Sequence, residues 1–231
     1  MSIGDHEVMS TSPVITATDL NRHYPSGRTS FVAVDNVSFH VERGEVFGLL
    51  GTNGAGKTST LEILEGLAPA DGGEVRVLGL DPVTDRQALR PQLGIMLQSG
   101  GLPAALTVAE TMRMWAGTCS TLRDIDEVLV DVDLTHRADV KVGALSGGEQ
   151  RRPDLACALV GDPRVIFLDE PTTGLDPESR RNVWGLLEGL KERGTTMVLT
   201  THYLEEAERL CDRIAIMHEG RAPPATTCPR R

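Results

Sequence analysis

The eight residues Gly51-Thr52-Asn53-Gly54-Ala55-Gly56-Lys57-Thr58 constrain this chain more than any other stretch. They fit the phosphate-loop pattern G-x-x-x-x-G-K-[ST], and their flanks suit it. The apolar run Val46 to Leu50 before them reads as a buried strand. The spacing of Leu61, Leu64 and Leu67 after them reads as a helix. Glycines let backbone N–H groups close on phosphate oxygens, and the helix N-terminus adds favourable partial charge. Gly51, Asn53, Gly54, Ala55, Gly56, Lys57, Thr58 and the following Ser59 are therefore candidate nucleotide-binding residues. In this pattern Lys57 reaches the β- and γ-phosphates and the Thr58 hydroxyl serves Mg²⁺.

The rest of the chain alternates strand and helix. Val14–Tyr24 and Phe31–Val41 read as strands, the second with Val37, Phe39 and Val41 alternating with polar neighbours. A turn at Asp71-Gly72-Gly73 precedes a strand from Glu74 to Leu78. A helix from Thr84 to Arg90 stops at Pro91, and a strand follows from Gly94 to Leu97. Capping boxes at Thr107-x-x-Glu110 and Ser146-x-x-Glu149 open helices toward Trp115 and Leu159, with another helix from Ile125 to Val132. Strands return at 165–168, 196–200 and 214–217, with helices at 204–210 and, capped by Asp176-Pro177, up to Gly194. Such alternation predicts an α/β fold with a mainly parallel sheet. Residues 1–13 are expected to be disordered, and 221–231 to form a tail without periodicity.

The apolar run Val165-Ile166-Phe167-Leu168 ends in Asp169-Glu170. Alone, that ending is ambiguous between a solvated strand end and a metal site. With a phosphate loop about a hundred residues upstream, Asp169 becomes a candidate to hold Mg²⁺ and Glu170 a candidate base for an attacking water. In Leu145-Ser146-Gly147-Gly148-Glu149-Gln150, the cap is followed by two glycines that leave N–H groups open. A phosphate site and a plainly capped helix both fit.

Composition limits the remaining choices. No apolar run approaches the roughly 20 residues of a membrane-spanning helix, and the N-terminus lacks a secretory pattern. The chain is therefore expected to be cytoplasmic, reaching the inner face of the membrane only through a partner. A net charge of −10 argues against a broad nucleic-acid surface, so no nucleic acid is expected. Cys119, Cys157, Cys211 and Cys228 form no metal or redox motif, and Cys157 and Cys211 read as small buried hydrophobes.

Taken in order, GTNGAGKT, Gln98 after its strand, LSGGEQ, FLDEP, Gly174-Leu175-Asp176 and His202 after Thr200-Thr201 resemble the ATP-binding cassette (ABC) family. The resemblance covers residues 14–220. It implies a P-loop nucleoside-triphosphatase core, an N-terminal antiparallel β portion and an inserted α-helical subdomain over about 98–158. The wording LSGGEQRR, LDEPTTGLDP and TTHYLEEAE is most similar to ATP-binding subunits of bacterial drug exporters of the daunorubicin-resistance type.

By that resemblance Tyr24 would stack on adenine. Gln98 would touch Mg²⁺ or the water and sense a membrane partner, and His202 would contact the γ-phosphate. Ser146, Gly147 and Gly148 would close on ATP held by a second subunit, with Asp176 at the interface. The implied partners are an integral membrane permease and a second cassette, identical or different, joined through ATP. A soluble cassette ATPase outside transport is the alternative. His6, His23, His40, His136 and His218 carry no assigned role.

Three departures stand out. Thr52 replaces a proline common in the family loop. Pro153 lies about seven residues into the helix capped by Ser146, where it removes an N–H bond to Glu149 at a cost of roughly 3 kcal/mol. A kink or a weakened helix is expected there, and a cassette that binds ATP but turns it over poorly is a further alternative to an active motor. Pro223-Pro224 interrupts the strand and helix that usually follow, so the C-terminus reads as truncated or divergent.

Overall fold

A computed structural model describes residues 12–26 and 29–228. Residues 1–11 of the expected disordered N-terminus and 229–231 of the tail lie outside them. Two sheets organise the described residues. Strands β1 (Ile15–Ser26), β2 (Thr29–Val41) and β4 (Gly72–Val77) form an antiparallel sheet in the order β2-β1-β4. Ile15 pairs with Val41 on one side and Val77 on the other, so three β-branched residues meet on one face.

The larger sheet runs β5 (Leu93–Met96), β6 (Val165–Asp169), β7 (Thr196–Thr201), β3 (Val46–Leu50), β8 (Arg213–Ile216), β9 (Thr226–Thr227). All its pairs are parallel except β8–β9. The central strands β6 and β7 are buried along their whole length. That explains the apolar runs 165–168 and 197–199 within them, since a parallel strand covered on both faces has no solvated side to present.

Two apolar layers flank this sheet. One packs the antiparallel sheet and α1 (Lys57–Leu64) onto it, with Phe39 and Phe47 stacked at 4.9 Å between ring centroids. The other packs α3 (Val108–Ala116), α4 (Ile125–Asp131), α5 (Gly147–Leu159), α6 (Pro177–Glu192) and α7 (Leu204–Leu210), with Trp184 at 2% exposure. Helices α3 to α5 all fall between β5 and β6 in the chain, and α5 packs back on β5. Both expected capping boxes are formed: Thr107 and Ser146 accept from the backbones of Glu110 and Glu149, whose carboxylates accept in return. The Ser146 N–H bond, with Arg137 beside it, holds the Glu149 carboxyl down at about 2.

Four local readings change. Strand β4 begins at Gly72 inside the expected turn. Gly73 adopts φ 86, and a Cβ there would fall 2.3 Å from the Asp19 carbonyl oxygen. Helix α2 is only Arg86–Leu89, and a 3₁₀ turn, Arg90–Gln92, carries the chain through Pro91 rather than stopping before it. Proline fits there because first-turn N–H groups need no intrahelical acceptor. Helix α5 runs without a break across Pro153, which is buried in it. Beyond the prolines at 223 and 224 the chain returns to the sheet: Thr226 pairs with Ile214, and Cys228 is buried with its N–H donated to the Asp212 carbonyl. The thiols of Cys157 and Cys211 are buried as expected, and burial pushes Cys157 up to about 12.

Candidate functional site

The site forms at the carboxyl ends of β3, β6 and β7, where parallel strands deliver their last residues to one crevice. The loop from β3 to α1 needs its glycines for distinct reasons. Gly56 has φ 100 and a virtual Cβ 2.1 Å from the Ala33 carbonyl, so only glycine fits. Gly54 has φ 81 with open space around it, leaving its backbone accessible. At Gly51 a Cβ would fall 2.5 Å from the Met217 carbonyl, and Ala55 is buried beneath the loop.

A cavity of about 370 Å³ opens above this loop, lined by Asn53, Gly54, Gly56, Lys57, Thr58 and Ser59 together with Phe31, Ala33, Gln98 and Glu170. Lys57 lies at its floor, 4% exposed. Its Nζ donates to the carbonyls of Gly51 (2.9 Å) and Thr52 (3.2 Å) and pairs with Glu170 Oε1 at 3.2 Å. Thr58 Oγ1 lies 3.1 and 3.3 Å from the two Asp169 oxygens, and Thr200 donates to Asp169 Oδ1 at 2.5 Å.

Glu170 gathers most of the expected catalytic groups. Its Oε2 is 3.3 Å from Gln98 Nε2, 3.3 Å from His202 Nδ1 and 2.9 Å from the Thr173 hydroxyl. Burial pushes this carboxyl up. The hydrogen bonds from Thr173 and Lys57, with the charges of Lys57 and His202, outweigh it and hold the group below its ordinary value. Asp169 behaves oppositely: burial, assisted by the Glu170 charge, raises it despite hydrogen bonds from Thr200 and Thr58. Two adjacent carboxyls are thus driven apart, which separates a proton acceptor from its neighbour.

The structure places the other expected residues unevenly. Tyr24 is anchored by its hydroxyl to Glu62 (3.2 Å) and Ser59 (3.3 Å), with the Arg22 guanidinium 4.5 Å over its ring. Its cross-strand partner Phe31, 55% exposed, lines the cavity in its stead. Ser146, Gly147 and Gly148 do not line this cavity within one chain. Gly148 instead abuts α6, where a Cβ would fall 2.0 Å from Ser179 Oγ. That same Ser179 donates to Asp176 at 2.5 Å, so Asp176 and the glycine turn share one neighbour. Arg151, Thr173 and Phe31 were not singled out by sequence. Arg151 and Thr173 lie within the stretches LSGGEQRR and LDEPTTGLDP without an assigned role, Phe31 lies in no motif, and pairing across elements brings all three to the site.

A family model described as ABC transporter matches residues 34–173. The Nod factor export ATP-binding protein I of Burkholderia pseudomallei (strain K96243) is 47% identical over 196 residues, covering 82% of this chain and 64% of that protein. The doxorubicin resistance ATP-binding protein DrrA of Mycobacterium tuberculosis (strain CDC 1551 / Oshkosh) is 43% identical over 199 residues, covering 84% and 60%. The chain thus spans less than two thirds of the length of these relatives. The dimeric post-hydrolysis structure of the ATP-binding cassette MJ0796 bound to ADP and Pi superposes with a TM-score of 0.81 at 25% identity, covering 94% of this chain and all of that one.

Proposed function

This chain belongs to the ABC transporter family, and from that premise we propose that it is the ATP-hydrolysing motor subunit of an exporter. The observation that carries the reading is the convergence of Lys57, Thr58, Asp169, Glu170, Gln98 and His202 on one crevice above the glycine loop. The relatives named for Nod factor export and for doxorubicin resistance support export of drugs or other small hydrophobic compounds. The cassette spans residues 14–220 in this reading, with its helical part over about 98–158, and works at the inner face of the membrane beside a permease.

The chemistry follows from the arrangement. Lys57 and the amides of Asn53 to Ser59 bind the β- and γ-phosphates. Thr58 and Asp169 offer hard oxygen donors side by side, which fits Mg²⁺. When bound, Mg²⁺ would neutralise charge building on the phosphate oxygens. Phosphate entering the cavity competes with Glu170 for Lys57. The released Glu170 carboxylate accepts a proton from water positioned by Gln98, while His202 contacts the γ-phosphate. Ser146, Gly147, Gly148 and Asp176 do not line the cavity of their own loop and act on the nucleotide of a second cassette. The dimeric form of MJ0796 supports that arrangement.

Two variants test this. Lys57→Ala should abolish ATP binding in titration calorimetry. Glu170→Gln should bind ATP, stop releasing phosphate and accumulate as a dimer in light scattering. A Glu170→Gln protein that stays monomeric at saturating Mg-ATP would exclude the two-subunit mechanism.

A further inference from the structure

We propose that Arg151 is a positioning residue for hydrolysis, locking the Gln98 segment and the Glu170 segment into one register from helix α5. This rests on the ATP-hydrolysis reading above. Arg151 stands five residues beyond the cap Ser146 and is 9% exposed. Its Nη1 donates to the Leu97 carbonyl at 3.3 Å and reaches Asp154 Oδ2 at 3.5 Å. Its Nη2 donates to the Gln98 carbonyl and to the Glu170 carbonyl at 3.4 Å. One planar guanidinium therefore spans three backbone acceptors from two segments.

Those segments need an external brace. The parallel ladder between β5 and β6 ends at Met96 and Leu168, so the residues that carry the chemistry lie beyond it. Glu170 also has φ 46, a left-handed conformation that costs a non-glycine residue energy and persists only when its surroundings hold it. Three partners do so: Thr200 Oγ1 accepts from the Glu170 N–H at 2.9 Å, and Thr173 N–H and Arg151 both donate to its carbonyl. Counted as contacts on that peptide, Arg151 is the one that also holds Gln98, whose side chain meets Glu170 Oε2 at 3.3 Å. It thus fixes the separation of two side chains that must share one water. A lysine could keep the charge, but its single nitrogen cannot reproduce a fork spread over three carbonyls.

The purified full chain with Mg-ATP tests the idea. Phosphate release gives kcat and KM, and titration calorimetry gives the nucleotide Kd. Arg151→Lys should lower kcat by about ten- to a hundredfold, the scale of an ångström-sized misplacement. KM and Kd should stay within about threefold, because the glycine loop is untouched. Arg151→Gln, which keeps donors without the charge, should do the same. Wild-type kcat in Arg151→Lys overturns the proposal while leaving the hydrolysis reading intact. Parallel loss of kcat and affinity, or loss of a cooperative melt in both variants, assigns Arg151 to the fold alone and also overturns it. A wild-type chain that neither binds nor hydrolyses ATP refutes the functional reading itself, and this proposal with it.

Discussion

Glu65 is a buried acid outside the reacting group, and it makes a quantitative prediction about stability. It closes α1, is 3% exposed, and its Oε1 has no hydrogen-bond partner among the described residues. Burial, aided by the charges of Asp169 and Glu62 and opposed by Arg90, raises its carboxyl from 4.5 to about 8. An acid raised on folding binds its proton more tightly in the folded state. Its contribution is therefore present at low pH and lost as pH climbs from the unfolded value toward the folded one. From 4.5 and about 8, the linkage integral gives a cost of about 1 kcal/mol at pH 5 and about 3 kcal/mol at pH 7. Glu65→Gln removes the titration and keeps the shape. Its stability advantage over wild type should grow by roughly 2–3 kcal/mol between those two pH values. Urea unfolding of both proteins at each pH measures this, and the comparison cancels the shared titrating groups that do not interact with Glu65. At pH 7 the folded carboxyl is still mostly protonated, so the growth is set mainly by the unfolded value. Parallel pH dependence in the two proteins would show that Glu65 is hydrated or paired, and the reasoning would fail.

Two further substitutions probe the backbone. Pro153→Ala restores an N–H for the Glu149 carbonyl inside α5 without adding volume, and should raise the urea midpoint by the equivalent of about 1–3 kcal/mol. An unchanged midpoint would mean that α5 already accommodates the proline without loss. Gly56→Ala must either shed φ 100 or press on the Ala33 carbonyl. It should lose ATP affinity by tenfold or more in calorimetry while melting cooperatively, and unaltered affinity would refute the steric argument.

Legibility in the sequence followed the range of each interaction. The glycine loop, both capping boxes and the Asp176-Pro177 helix start are local, and their residues carry the geometry within a few positions. The buried strands were legible because β6 and β7 are covered on both faces and therefore carry apolar centres, 165–168 and 197–199. Strand β9 was not, because two threonines become a strand only by meeting Arg213 and Ile214 on β8. Strand β4 was displaced for a similar reason: Gly72 and Gly73 look like a turn until Asn21 and Asp19 approach them. At the site, Lys57, Asp169 and Glu170 announced themselves through spacing. Arg151 did not, since its role depends on carbonyls supplied 53, 54 and 19 residues away in the chain. Phe31 likewise lines the cavity only because β2 folds back beside Tyr24.

The contacts of Glu170 bear on how such a site avoids idle chemistry. Its carboxylate is held by Lys57, Thr173, Gln98 and His202 together. A base in that state is a poor proton acceptor, since the same hydrogen bonds and charges that hold its carboxyl below the ordinary range stabilise the ionised form. Lys57 is also the residue that a triphosphate must recruit. In the proposed mechanism, binding would withdraw the Lys57 charge from Glu170 and raise its basicity in the same movement, so that substrate arrival readies the base. The backbone strain at φ 46 has a place in this scheme. A Glu170 free to relax its peptide would follow Lys57 or swing from the crevice once released. Held by Thr200, Thr173 and Arg151, it would stay beside the attacking water that the proposed mechanism requires.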